Sequence, residues 1–275
     1  MKLGYSEFSF GYAFTENLIR SSSAAPSSAP VFPNLVQEAL LGYDVRIDLP
    51  AFPLFFQYKL PESMTRNSAA EISMHQLSGL VVPFFRMPLM RRDLSAQHRR
   101  LIDLEQKFPG VVFYASPSMH NLGEFNLAYK DGRVHEGSVF FSPADIGPLP
   151  DDKNHTIAYQ TNPPVAYFCS QPRPITALNY GALAQNAREL FERPQYRTLE
   201  NSSQLLRDTV RTLVSPQMRG AETQLAQRVR ARRAAEPIGS AASGHVERVV
   251  EDVLVAREMA RVDLGVDLLI TQPHK

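Results

Sequence analysis

Apolar and polar positions change their period several times along this chain. "LGYSEFSFGYAF", residues 3–14, mixes alternation with aromatic residues and predicts a strand or an extended entry segment. Thr15 then stands where it would cap a short helix over "ENLIR". "SSSAAPSSAP" is small, polar and proline-bearing, which predicts a loop. In "PNLVQEALLGYD", Leu35, Val36, Ala39 and Leu40 share one helical face, and Gly42 suits a C-terminal stop. "GYDVRIDLPAFPLFFQYKL", residues 42–60, predicts two short strands around a proline turn. Residues 61–79 are polar and weakly periodic, and "GLVVPFFRMPLM" carries two prolines, which predicts an edge strand or an extended loop.

"DLSAQHRRLIDLEQKFPG" predicts a helix over 95–107, with Ser95 as N-cap and Leu101, Leu104 and Phe108 at helical spacing. "GVVFYASP" reads as a buried strand, and shorter strands are predicted at "SVFFSP", "TIAYQT" and "VAYFCSQ". From about residue 176 the pattern turns helical, in "ALNYGALAQNARELFE", "SSQLLRDTVRTLV", "AETQLAQRVRARRAAE" and "HVERVVEDVLVAREMARV". "EPIGSAASGH" breaks the last two. The expected organisation is an α/β domain over 1–175 and a helical C-terminal region over 176–275, without an internal repeat.

Composition narrows the classes. Apolar residues are 44% and charged residues 21% of the 275, as in globular proteins. Lysine plus arginine number 29 and aspartate plus glutamate 28, so any cationic surface must be local. The one cysteine, Cys169, excludes an internal disulfide and cysteine-paired zinc, and suits a cytoplasmic location. "MKLGYSEFSF" has no apolar signal region, and no apolar run reaches membrane-spanning length, so no membrane partner is expected.

The hairpin carries the candidate chemistry. Side chains alternate along a strand, so Asp44, Arg46 and Asp48 share one face of the first arm. Phe55, Gln57 and Lys59 share one face of the second. The plain alternative is an edge hairpin with its polar groups on a wet face. In the chemical reading, the oxygens of Asp44 or Asp48 and Gln57 would hold Mg²⁺, a hard cation that polarises phosphate, and Lys59 would orient or activate water. Glu38, one element earlier, adds the further acid such a site needs.

These residues resemble the PD-(D/E)XK, or restriction-endonuclease-like, nuclease superfamily in its Q-x-K variant. "QEALLGYD" is similar to its helix glutamate and glycine-preceded aspartate, and "FFQYKL" to its Q-x-K strand. The helix over 95–107 and the strand "VVFYASP" follow in the family's order. The resemblance covers roughly residues 30–117, and the long insertion after Lys59 departs from the pattern. It implies a core of a central mixed sheet flanked by helices, with the helical C-terminal region appended. It implies Glu38 and Asp44 as ligands of Mg²⁺ (or Mn²⁺), Asp48 being the rival of Asp44. It implies Gln57 as a motif residue beside the metal, and Lys59 as the catalytic lysine. The expected activity is endonucleolytic hydrolysis of nucleic acid, DNA above RNA, with defence against foreign DNA as an association of the family. The alternative is a catalytically silent nuclease-like module whose helical tail contacts a protein partner.

Other groups stand beside these. Arg91, Arg92, Arg99 and Arg100, with Arg86 and His98, form a basic stretch suited to phosphate contact or to a solvated helix start. Gln97 or His98 would face the site, His98 being the one expected in solvent. "RVRARRAAE" offers a second basic cluster. Cys169 with His155 lacks an evident third member of a nucleophilic set, so Cys169 reads as core. The apolar positions of the last helix suit core, a homodimer contact or a protein partner.

Overall fold

The computed structural model describes residues 2–21, 51–234 and 244–271. They form a mixed α/β fold with two sheets and nine helices, and divide into two compact units. The first contains residues 2–21 and 56–185, the second residues 51–55, 186–234 and 244–271. The helix predicted in "PNLVQEALLGYD", the first hairpin arm and most of the break at 236–245 lie outside the described residues.

In the first unit, α1 (Glu7–Ser21) leads to β1 (Phe52–Tyr58), which begins in the other unit. β2 (Glu62–Met64), α2 (Ala70–Ser73) and β3 (Phe84–Leu89) follow, then α3 (Gln97–Lys107), β4 (Val112–Pro117) and α4 (Leu122–Lys130). β5 (Ser138–Phe141), α5 (Pro143–Ile146), β6 (His155–Thr161), β7 (Pro164–Phe168), β8 (Arg173–Pro174) and β9 (Leu178–Asn179) complete it, and α6 (Tyr180–Leu190) leaves it. In one sheet β1 is followed by β4, β5 and β9; the other runs β2-β3-β6-β7-β8. The second sheet is antiparallel throughout, with Phe85 opposite Tyr159 and Ser63 opposite Phe85.

Several expectations are met by the strands. β4 is buried at every position, as its β-branched and aromatic residues suggest, and β5, β6 and β7 fall in the predicted segments. β3 is a strand despite its prolines. β2 pairs with Phe84, Phe85 and Arg86 alone, so Pro88 lies beyond it, where one side of β3 demands no donor.

The N-terminal segment corrects the sequence reading. Residues 7–21 are helical, and Phe10, Gly11, Ala13, Phe14, Thr15 and Asn17 make the buried face. Alternating aromatics suggested a strand, but Phe8 and Tyr12 are exposed while Phe10 and Phe14 are buried. Thr15 caps nothing: it is buried inside α1, with Oγ1 2.8 Å from the Tyr58 hydroxyl. α1 lies flat on β1. Phe10 meets the Tyr58 ring edge-on at 5.7 Å, and Phe14 meets Phe56 at 5.2 Å. The two sheets are joined through Tyr159, whose hydroxyl is 2.5 Å from Pro117 O and 2.9 Å from Ser116 Oγ.

In the second unit, α7 (Leu199–Leu213), α8 (Pro216–Ala234) and α9 (Gly244–Met259) follow a 3-10 turn at Pro194–Tyr196. Ala51 N donates to Tyr196 O, and Ala51, Leu199 and Val249 form an apolar cluster with Val253 and Ile270. α9 runs into a π turn, Ala260–Leu264, ended by Gly265 in the left-handed region at φ 69°. β10 (Asp267–Thr271) then stands next to β1 in the strand order, a strand where the sequence suggested only helix.

Gly11 tests the seating of α1. A Cβ there would lie 2.6 Å from Tyr58 Cδ2 and 2.9 Å from Cε2. Gly11→Ala is expected to destabilise the protein by about 1–3 kcal/mol in urea unfolding, through overpacking. Without that contact, the same change would stabilise the helix by about 1 kcal/mol, so the sign decides.

Candidate functional site

The second hairpin arm is not the half-wet strand the plain alternative required. All seven residues of β1 are buried, and so is Lys59 just beyond it. Gln57 and Lys59 are each only 7% exposed. Tyr58 points to α1, so Gln57 and Lys59, on the other face, meet α3. The backbone of Lys59 is held at both ends. Its N–H donates to Ala115 O at 2.9 Å, and Ser116 Oγ donates to its carbonyl at 3.0 Å.

A directional relay of side chains follows. Lys59 Nζ donates to Gln97 Oε1 at 3.4 Å, Gln97 Nε2 donates to Gln57 Oε1 at 2.8 Å, and Gln57 Nε2 donates to Tyr58 O at 3.1 Å. An ammonium only donates, so it fixes the orientation of Gln97, and Gln97 then fixes Gln57. Burial lowers the Lys59 ammonium from its ordinary value, and the Glu7 carboxylate opposes that. The result is a desolvated cation whose hydrogen-bonded partner is a neutral amide.

Gln97 is thus the residue of α3 that reaches this pair. Its spacing from Leu101, Leu104 and Phe108, all buried, is the signal in the sequence. His98 was expected in solvent but is 3% exposed. Its ring lies 2.8 Å from both the Tyr114 hydroxyl (through Nδ1) and Gly147 O (through Nε2), joining α3 to β4 and the end of α5. Ser95 is not the N-cap, which is Ala96, but its Oγ accepts from Gln97 N at 3.1 Å and steadies the first turn.

Glu38, Asp44 and Asp48 lie outside the described residues. Among the described residues, no group of three or more His, Cys, Asp or Glu is placed to hold a metal ion. Gln57 Oε1 accepts one hydrogen bond and keeps a second lone pair, which suits one neutral oxygen ligand. A hard divalent cation would need its carboxylates from outside this set.

The basic stretch is partly neutralised. Arg91 pairs with Asp93 at 2.6 Å and Arg92 with Asp152 at 2.7 Å, both at the surface. Arg86 forms a two-pronged bond with Glu71. Burial pushes the Glu71 carboxyl up, but the Arg86 bonds outweigh it and hold the group below the usual range. Arg99 is exposed and Arg100 half-buried on the first turn of α3, beside Gln97.

Cys169 follows β7, half-buried, at the wall of an open recess of about 370 Å³. Burial pushes its thiol up, away from thiolate character. His155 is committed elsewhere: Nδ1 is 2.7 Å from Ser170 Oγ and Nε2 is 3.0 Å from Asp151 O. These bonds of His155, and the one that the Cys169 thiol donates to Tyr167 O, do not join the two residues. Among the described helices, none is long and apolar enough to cross a membrane.

His98 carries a pH prediction. Burial lowers its imidazole, so the folded protein holds it neutral while the unfolded chain protonates at about 6.5. This stability is complete above that pH and is lost as pH falls through it towards the lower folded value. Urea midpoints measured from pH 8 to 5 should fall more steeply for the native chain than for His98→Gln. Parallel curves would contradict the assignment. No protein-family model, curated protein or solved structure matches the chain.

Proposed function

We propose that this chain is a metal-dependent nuclease acting on phosphodiester bonds of DNA, built on a restriction-endonuclease-like core. The observation that carries the reading is the burial of Lys59 in a relay with Gln97 and Gln57. A solvated edge hairpin would leave Gln and Lys in water; here both are enclosed. An ammonium enclosed in this way acts strongly on an incoming phosphate, because the local dielectric is low.

Lys59 is the catalytic lysine in this reading: it orients the attacking water and offsets charge developing on the phosphate. Gln97 is a positioning residue that aims the ammonium and keeps the Gln57 carbonyl oriented. Mg²⁺ or Mn²⁺, held by Glu38, by Asp44 or its rival Asp48, and by Gln57 Oε1, would supply phosphate polarisation and a more acidic water. Arg99 and Arg100, near the start of α3, would meet the nucleic-acid backbone, with Arg91 and Arg92 further along the same stretch of chain. A homodimer through the C-terminal helices would supply two sites for two-strand cleavage.

The test incubates the full chain with duplex DNA, single-stranded DNA or RNA in Mg²⁺, beside Lys59→Met and Gln97→Ala. Cleavage by the native chain is expected, with a loss of about 100-fold or more for Lys59→Met. The loss for Gln97→Ala should be smaller. Equal cleavage by native chain and Lys59→Met would remove Lys59 from the mechanism. Absence of any cleavage would favour the silent module that binds a protein partner.

A further inference from the structure

Within the second unit, α8 is attached differently from its neighbours. α7 buries Leu199, Leu206 and Val210, and α9 buries Val249, Val250, Val255 and Met259. Along α8 to residue 231, the buried side chains are Glu222 and Ala226; Met218, Leu225 and Val229 are half-buried. Arginine–carboxylate pairs complement this shallow apolar stripe. Glu222 accepts from Arg207 Nε at 3.0 Å and Arg211 Nε at 2.9 Å, both on α7. Further along, Arg230 grips Glu251 of α9 through two bonds, of 2.7 and 2.8 Å.

The start of α8 is fixed in another way. Ser215 donates its backbone N–H at 2.9 Å and its hydroxyl at 2.6 Å to the Asp263 carboxylate, and Arg219 donates to Val214 O. The helix therefore has a tied end, a middle clasp and a distal clasp. The arginine in the distal clasp has a side chain 66% exposed, and Arg211 one 59% exposed.

We propose that α8 is a strap, hinged at Ser215 and closed by the Glu222 and Glu251 clasps, which rising ionic strength opens from its distal end. Three features favour local opening over loss of the whole unit. Arg207 keeps Asp252 as a partner when Glu222 leaves. Glu222 moves into water with α8, and Glu251, buried under the Arg230 clasp in the closed state, is uncovered by the same movement, so no charge is stranded in the interior. Ion pairs with exposed arms are screened as the Debye length shrinks from about 10 Å at 0.1 M salt to about 3 Å at 1 M, while apolar packing of α7 on α9 is not. The opened helix presents Met218, Leu225 and Val229 as one stripe, flanked by Arg219 and Arg230 on one side and Arg228 on the other.

Hydrogen exchange of the full chain, read by mass spectrometry at about 0.05 M and about 1 M salt, tests this. Amides of residues 224–231 should exchange roughly two- to five-fold faster at high salt, while those of α7 hold their rate. Glu251→Gln at low salt should reproduce the faster exchange and remove most of the salt response. Arg230→Gln, which changes an exposed side chain, should do the same. Salt-independent exchange in α8 would overturn the strap, as would α7 and α9 accelerating together with it.

Discussion

An ammonium group withdrawn from water sets the terms for the centre of the first unit. Lys59 cannot be stably enclosed without a hydrogen-bond acceptor, and the one it meets is a neutral amide rather than a carboxylate. The Glu7 carboxylate then supports its charge through space rather than through a hydrogen bond. The amide also fixes the order of donors and acceptors through Gln97 and Gln57 to the carbonyl of Tyr58. The backbone on either side of the ammonium is tied to β4 through Ala115 and Ser116. The site's geometry is therefore inherited from strand pairing and from the seating of α3, rather than from a loop.

β1 divides two roles between its faces. Phe56 and Tyr58 take the aromatic contacts of α1, and Gly11 lets the helix come down onto the Tyr58 ring. Gln57 and Lys59 take the polar contacts of α3. A slip of one residue would exchange the two sets, placing an ammonium against Phe10 and Phe14. The register is thus enforced by both neighbours.

Much of this could be read from the chain, for identifiable reasons. β4 is a short run of β-branched and aromatic residues, and α3 has apolar residues at a clean helical period, so both segments announce themselves. α1 does not, because Phe8, Phe10, Tyr12 and Phe14 imitate strand alternation while tertiary packing selects Phe10 and Phe14 alone. His98 shows the opposite failure: a histidine beside two arginines looks solvated, yet Tyr114 and Gly147 give both its nitrogens partners inside. The arginine clusters also look more cationic in sequence than in space. Asp93, Asp152 and Glu71 answer Arg91, Arg92 and Arg86, and Glu251 answers Arg230. Apart from Arg91–Asp93, those pairings join residues 15 to 60 positions apart and leave no local pattern.

We propose that Lys59 and Gln57 belong to a phosphodiester-cleaving metal site completed by Glu38 and by Asp44 or Asp48. The most direct measurement is anomalous diffraction from crystals of the full chain grown with Mn²⁺ as the reporter ion. A peak is expected about 2.1 Å from carboxylate oxygens of Glu38 and of Asp44 or Asp48, on the side of β1 where Gln57 and Lys59 point. A peak bound elsewhere, or Glu38 and both aspartates turned away from Lys59 with no ion between them, would contradict the proposal.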